Sequence, residues 1–275
     1  MIASSSMLVV GSLSASTTII SADFTGAADA AALGGTNPNL VNISGNTWVK
    51  ATNQPDLQVR TFAPFGNSAP GVNGRSQGAS AIEINGGGFT LAADAPITIS
   101  ADFRQTITPS FNTGLTGGAA NGRGWALGYF SSVTGNQFSQ NSFTGLVLGL
   151  GGALNVVQDP NATGFFGAGS TLGTAVPFGG TFDPEAYYTL TYSVDRATGA
   201  LTDISLSGST ADYSSLLGTT LFTESATRYA GVYSSGTTST GLTGAMDNFI
   251  VSTIPEPSSA VLAMLGGLGL LRRRR

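Results

Sequence analysis

Between residues 97 and 104 the side chains alternate without a break. Ile97, Ile99, Ala101 and Phe103 fall on one side of an extended chain, and Thr98, Ser100, Asp102 and Arg104 on the other. Residues 189–194 repeat the pattern, with Leu190, Tyr192 and Val194 set against Thr189, Thr191 and Ser193. A period of two belongs to a strand with one face in a core and one toward solvent. Further strands are predicted at 18–24, 47–51, 57–62, 79–84, 124–130, 145–150, 153–157, 200–206, 229–233 and 244–251, separated by turns rich in Gly, Asn and Ser. Before residue 254 no helical stripe of apolar residues is sustained through ten positions; short turns near 27–33 and 213–217 come nearest. Many short strands without helices predict an all-β sandwich or barrel.

The clearest hairpin runs from Val194 to Leu201, where Asp195 opens a type I turn and Gly199 supplies the positive-φ residue that closes it. A second distinctive piece is Asp247-Asn248-Phe249 within the last body strand. This pairing of a hairpin in the third quarter with a final strand carrying Asp-Asn-Phe resembles concanavalin A-like jelly rolls of the laminin-G type, over about the last seventy residues of the body. The resemblance implies a Greek-key sandwich of two antiparallel sheets. The polar stretches 67–78, 109–123, 131–142 and 159–180 are then expected to be loops at the rims.

From residue 254 onward the pattern changes. Pro255, Glu256 and Pro257 fix φ twice and remove two backbone donors, which keeps the segment extended. An apolar run from Ala260 to Leu271 follows, and Arg272, Arg273, Arg274 and Arg275 close the sequence. An uncharged run is expected to be helical in lipid, where backbone groups must pair internally, and arginines abutting it act as a cytoplasmic stop. A buried helix or a nucleic-acid-binding tail accounts less well for these parts in this order. The stretch resembles the PEP-CTERM sorting domain of bacterial exported proteins. That resemblance implies recognition of Pro255, Glu256 and Pro257 by an exosortase-type processing enzyme. The body would be exported, held transiently in the inner membrane by its C-terminus, and delivered to the cell surface or extracellular matrix. One departure is length: Ser258 to Leu271 makes fourteen residues, roughly 21 Å of helix against a hydrocarbon core of about 30 Å. Snorkelling arginines and local thinning would close the gap, giving a weak, transient span.

Residues 1–16 read as the later part of a secretory signal, with Met7-Leu8-Val9-Val10 as a short apolar core and Ser14-Ala15-Ser16 as a small-residue cleavage site. The first basic residue is Lys50, so no positive n-region precedes that core. A start placed too far downstream accounts for this better than an atypical signal; the plain alternative is a first strand. The organisation expected is therefore a signal at 1–16, a β-sandwich at 17–253 and a sorting signal at 254–275.

Composition narrows the chemistry. With no cysteine and no histidine in 275 residues, disulfides, thiolate chemistry, imidazole metal ligands and His-based triads are excluded. Net charge is −4 overall; without the four terminal arginines and Glu256, 7 basic and 14 acidic residues leave −7. An acidic body argues against nucleic acid as a partner.

A jelly-roll glycosidase needs two carboxylates flanking the scissile bond. The body's glutamates are Glu83, Glu185 and Glu224, far apart in sequence, and the E-x-D-x-x-E pattern of jelly-roll endoglucanases is absent. Glu83 reads as a solvent-facing strand position, and Asp183 and Glu185 flank Pro184 in a turn. No catalytic residue is assigned and the body is read as non-enzymatic, with a secreted glycoside hydrolase or lyase as the alternative. Sugar binding is the stronger candidate: aromatic platforms from Trp48, Trp125, Tyr129, Tyr187 or Tyr188, and oxygens from Asn155, Asp159 and Asn161, with Ca²⁺ as the conceivable cofactor. Trp48 and Trp125 read first as core residues, and no metal site is assigned. The function expected is that of a structural or adhesive surface protein binding polysaccharide or neighbouring copies.

Overall fold

In the computed structural model the two alternating segments lie side by side. Residues described are 16–24, 40–43, 45–51, 58–61, 70–74, 77–84, 95–105, 124–130, 133–134, 137–138, 143–149, 151–158, 171–221, 229–235 and 244–253. They form β1 (Thr17–Ala22), β2 (Leu40–Asn42), β3 (Val49–Ala51), β4 (Gln58–Thr61), β5 (Pro70–Gly74), β6 (Gln77–Glu83), β7 (Ile97–Arg104), β8 (Gly124–Phe130) and β9 (Val133–Thr134). The order continues with β10 (Gln137–Phe138), β11 (Phe143–Gly149), β12 (Leu154–Gln158), β13 (Thr171–Val176), β14 (Tyr188–Val194), β15 (Leu201–Leu206), β16 (Tyr229–Ser235) and β17 (Gly244–Thr253). A single 3₁₀ turn at Ser214–Leu216 is the one helical element among the described residues.

The strands make two sheets. One has eight strands in the order β15-β14-β7-β17-β1-β2, with β5 also paired to β17 and β4 to β5; the other has nine in the order β13-β12-β11-β8-β16-β6-β3-β10-β9. Pairing among the described residues is antiparallel except between β10 and β3. Neighbours such as β7 and β17, or β8 and β16, are distant in sequence, as the Greek-key crossovers of a jelly-roll sandwich require. The all-β, two-sheet expectation holds; residues 254–275, where a short helix was expected, lie outside the described residues.

Three expected loops contain strands instead: β5 within 67–78, β9 and β10 within 131–142, and β13 within 159–180. Their Gly-, Ser- and Asn-rich sequences have low strand propensity, and pairing to a neighbour decides their conformation. Segment 109–123 and the turn at 27–33 lie outside the described residues. The other turn, at 213–217, is the 3₁₀ turn.

Between the sheets, Ile97, Ile99, Ala101, Phe103, Leu190, Tyr192 and Val194 meet Trp125, Leu127, Tyr129, Leu146, Leu148, Leu154, Val156, Ala230 and Val232. Aromatic contacts cross the gap: Phe103 stacks on Trp125 at 5.7 Å, and Tyr129 meets Tyr192 edge-on at 6.2 Å. The Tyr192 hydroxyl donates to the Leu127 carbonyl at 2.9 Å, so its polar end is satisfied inside an apolar layer. Burial pushes the Tyr129 and Tyr192 phenols far above their ordinary range, because a phenolate there would lose its hydration.

β8 and β11 are buried along their whole length. Their second faces join a separate apolar cluster of Ala126, Phe130, Phe143, Val147, Val157 and Tyr233. In the same face Gly128 stands opposite Gly145 on one side and Gly231 on the other. A Cβ added to Gly128 would lie 2.4 Å from the Thr144 carbonyl oxygen, and one on Gly145 would lie 2.2 Å from that of Leu127. The close approach of these strands is therefore available only to glycine.

Candidate functional site

The outer face of β14, β7 and β17 is where polar side chains converge. Across β7 and β14 the register sets Thr98 opposite Ser193, Ser100 opposite Thr191, and Asp102 opposite Thr189. Each pair is closed by a hydrogen bond: Thr98 Oγ1 to Ser193 Oγ at 2.8 Å, Ser100 Oγ to Thr191 Oγ1 at 2.7 Å, and the Thr189 hydroxyl donating to Asp102 Oδ1 at 2.6 Å. Residues that alternate outward on neighbouring strands must meet at strand spacing, so the ladder follows directly from the period-two pattern.

β17 ends this ladder with an irregularity. Its register against β7 shifts between Asp247, which faces Asp102, and Ile250, which faces Ser100. Asn248 occupies the bulge at φ 49°, a conformation Asn tolerates better than most residues. From there its Nδ2 donates to Asp102 Oδ2 at 2.7 Å, while its backbone N–H donates to Asp247 Oδ1 at 2.8 Å. Asp102 thus links Thr189 of β14 to Asn248 of β17. Two residues along, Arg104 lies with its guanidinium 6.0 Å from the centre of the Tyr187 ring. Thr189 and Asn248 are exposed, and Tyr187 and Asp102 half-buried.

Asp247 is 8% exposed. Burial pushes its carboxyl up to about 6; the Asn248 backbone bond acts the other way, and the charges of Asp102 and Asp23 add to the rise. Among the described residues no three carboxylates are placed to hold a metal ion.

The residues singled out in the sequence mostly lie elsewhere. Trp48 is buried between Phe24 and Phe249, Trp125 and Tyr129 lie in the intersheet core, and Tyr188 packs against Phe178 and Phe182. None of these four presents a platform to solvent; Tyr187 does in part. Asn155 is buried on β12, where its Oδ1 accepts the Val156 N–H. Asp183 and Glu185 hold a turn, in which Asp183 Oδ1 accepts the Glu185 N–H and the Tyr188 hydroxyl accepts the Asp183 N–H. Glu83 lies in β6 opposite Tyr229. Asp159, Asn161, Glu224, Pro255, Glu256, Pro257 and Arg272 to Arg275 are outside the described residues. Arg104 departs from expectation: alternation puts it on the outward face, yet it is only 6% exposed.

No family model matches the chain, and no curated protein matches it. Solved structures do. The carbohydrate recognition domain of Emp47p matches over 89% of this chain and 98% of its own, at 12% identity and a TM-score of 0.45. A carbohydrate esterase of the Shiga toxin-encoding bacteriophage phi24B matches over 87% and 99%, at 15% identity and a TM-score of 0.42. Peanut lectin matches over 76% and 91%, at 11% identity and a TM-score of 0.40. At such scores the fold stands on the chain's own strand pairing, and the ligands of those proteins carry over to nothing here.

Proposed function

We propose that this chain is an exported surface or extracellular-matrix protein, structural or adhesive, whose sandwich binds polysaccharide on the outer face of the eight-stranded sheet. The observation that carries this reading is the linked row Thr189–Asp102–Asn248 beside the half-buried Tyr187 ring. A sugar ring offers an apolar face for an aromatic and a rim of hydroxyls for fixed amide and hydroxyl groups. Asp102 holds Thr189 and Asn248 in place, so little side-chain entropy is lost on binding. The export route rests on the sequence of the tail: Pro255, Glu256 and Pro257 are read by an exosortase-type enzyme while the apolar run and Arg272 to Arg275 hold the chain in the inner membrane.

One observation favours the enzyme reading. Asp247, whose carboxyl is pushed up by burial, faces the carboxyl of Asp102 across the β7–β17 pair, and two adjacent carboxyls are the kind of pair that acid–base chemistry uses. Yet Asp247 is almost fully buried, and both oxygens of Asp102 are engaged by Thr189 and Asn248. Neither carboxylate is presented to a glycosidic bond, and binding without turnover remains the better account.

Retention of the 275-residue chain on an array of neutral polysaccharides tests the binding. Retention is expected, with a loss of about tenfold in affinity for Tyr187→Ala, the cost of a removed aromatic contact. No retention on any glycan, or equal retention of the variant, refutes the assignment of this face. Mass spectrometry of the mature C-terminus in the native host tests the route. Glu256→Ala should leave the tail uncleaved, and equal processing of the two proteins would reduce the motif to a spacer.

A further inference from the structure

Two further rows lie beside the linked row Thr189–Asp102–Asn248 on the outer face of the eight-stranded sheet. Strand register places Thr191, Ser100 and Ile250 in the first and Ser193, Thr98 and Ser252 in the second, on β14, β7 and β17 in turn. All six are exposed or half-buried and none is charged; the neighbour of Ser193 on β15 is the exposed Asp203. Residues two apart on a strand are separated by about 6.8 Å, so the face repeats at that interval from Tyr187 through Thr189 and Thr191 to Ser193. Its hydroxyls are held in place, Ser100 by Thr191 at 2.7 Å and Thr98 by Ser193 at 2.8 Å. Each such bond consumes one O–H and one lone pair, which leaves the two hydroxyls one donor and several lone pairs for a ligand. Ile250, 36% exposed on the flank of Ser100, adds an apolar contact.

We propose that this face holds an uncharged polysaccharide chain running along β14 and β7, with Tyr187 at one end and the Ser193–Thr98 pair at the other, so that it recognises an internal stretch of several sugar units and not a chain end. That the ligand is a polysaccharide rests on the reading above; its charge, direction and length follow from the face. An anionic chain would need several donors or a cation, whereas each hydroxyl pair offers one donor and the carboxylates of Asp102 and Asp203 flank the line. A cationic chain would need carboxylate oxygens along the line, where the pairs supply neutral hydroxyls and both oxygens of Asp102 are engaged. Sugar hydroxyls donate and accept at once, as these pairs do. Direction is decided by twist. Neighbouring strands are rotated by about 20–25°, so a line across several strands turns steadily, while a line along two adjacent strands stays nearly straight and suits a stiff glycan. From Tyr187 to Ser193 that line is about 20 Å long, room for several linked sugars.

Binding of the 275-residue chain to neutral oligosaccharides of one to six units, drawn from glucan, mannan, galactan and xylan series, reads the length directly. For the series that binds, affinity should rise about fivefold with each unit from two to four, the worth of one net hydrogen bond per unit, and then level off. Thr98→Val combined with Ser193→Ala removes both partners of the far pair and should abolish the last step of that rise, so that four units bind no better than three. A loss spread equally over all lengths would mark the pair as structural and overturn its place in the site; if the variant does not fold, the wild-type length series decides by itself. Affinity independent of length overturns the extended site and leaves the polysaccharide reading standing. Tighter binding of a uronic-acid or amino-sugar chain than of any neutral one overturns the neutral class. No binding of any oligosaccharide sinks the polysaccharide reading and the extended site together.

Discussion

The outer face of the eight-stranded sheet is polar and half-exposed across β7 and β14, whereas the corresponding face of the nine-stranded sheet is apolar and buried across β8 and β11. The first sheet reads as alternation, the second as near-continuous runs such as Gly-Trp-Ala-Leu-Gly-Tyr-Phe. The two faces also set register by different means. On the polar face, cross-strand hydroxyl pairs match one strand to the next, and a slip of one residue would turn Ile97 and Leu190 outward. On the apolar face such a slip exchanges one hydrophobic residue for another, and it is the row Gly145, Gly128 and Gly231 that permits only one alignment at close approach.

That contrast can be broken by mutation, and the largest effect belongs to the glycine row. Gly128→Val places carbon where the Thr144 carbonyl and Gly145 Cα already stand. The loss should exceed about 4 kcal/mol, seen as failure to recover folded protein or as collapse of the urea midpoint. Near-normal stability would show that the strands can separate without penalty. The smallest effect belongs to the hydroxyl ladder: Ser100→Ala combined with Thr191→Ala removes both partners of one bond on a half-exposed face. Deleting donor and acceptor together leaves nothing buried and unsatisfied, so the change should stay within about 0.5–1 kcal/mol by chemical denaturation. A larger loss would mean that the ladder, and not only the alternation of apolar residues, fixes the register of this sheet.

How much of this was legible follows from the same contrast. β7, β8 and β14 agree with their sequence patterns almost to the residue, because either alternation or an unbroken apolar run marks them. The hairpin from β14 to β15 is closed as its residues imply, with Gly199 at φ 70° and the Thr198 N–H donating to Asp195 Oδ1. β2, β5 and β13 carry neither signal, and β5 opens with Pro70, which a strand tolerates at its first position. The linked row was less legible. Asp102 and Asn248 are 146 positions apart, and no local pattern announces that a bulge will bring them within hydrogen-bonding distance. The Asp247-Asn248-Phe249 segment did stand out, and an Asn between an acid and an aromatic in a strand is the available hint of a positive-φ position. Aromatic residues misled as binding candidates for a physical reason: a core this wide takes the largest side chains first, and Trp48, Trp125 and Tyr129 fill it.

β17 has a mechanical consequence as well. It lies inside its sheet, bonded to β7 on one flank and to β1 and β5 on the other, and the Thr253 hydroxyl pins its end to the Pro96 carbonyl. A pull on the chain beyond Thr253, resisted at the sheet face, runs along the strand and loads both ladders in shear, so many hydrogen bonds must yield together. Thr17 is paired with Thr253, however, so a pull between the two ends of the body would meet the β1–β17 ladder one bond at a time. The same sandwich is therefore strong against tension between its tail and its outer face, and weak against tension between its own termini.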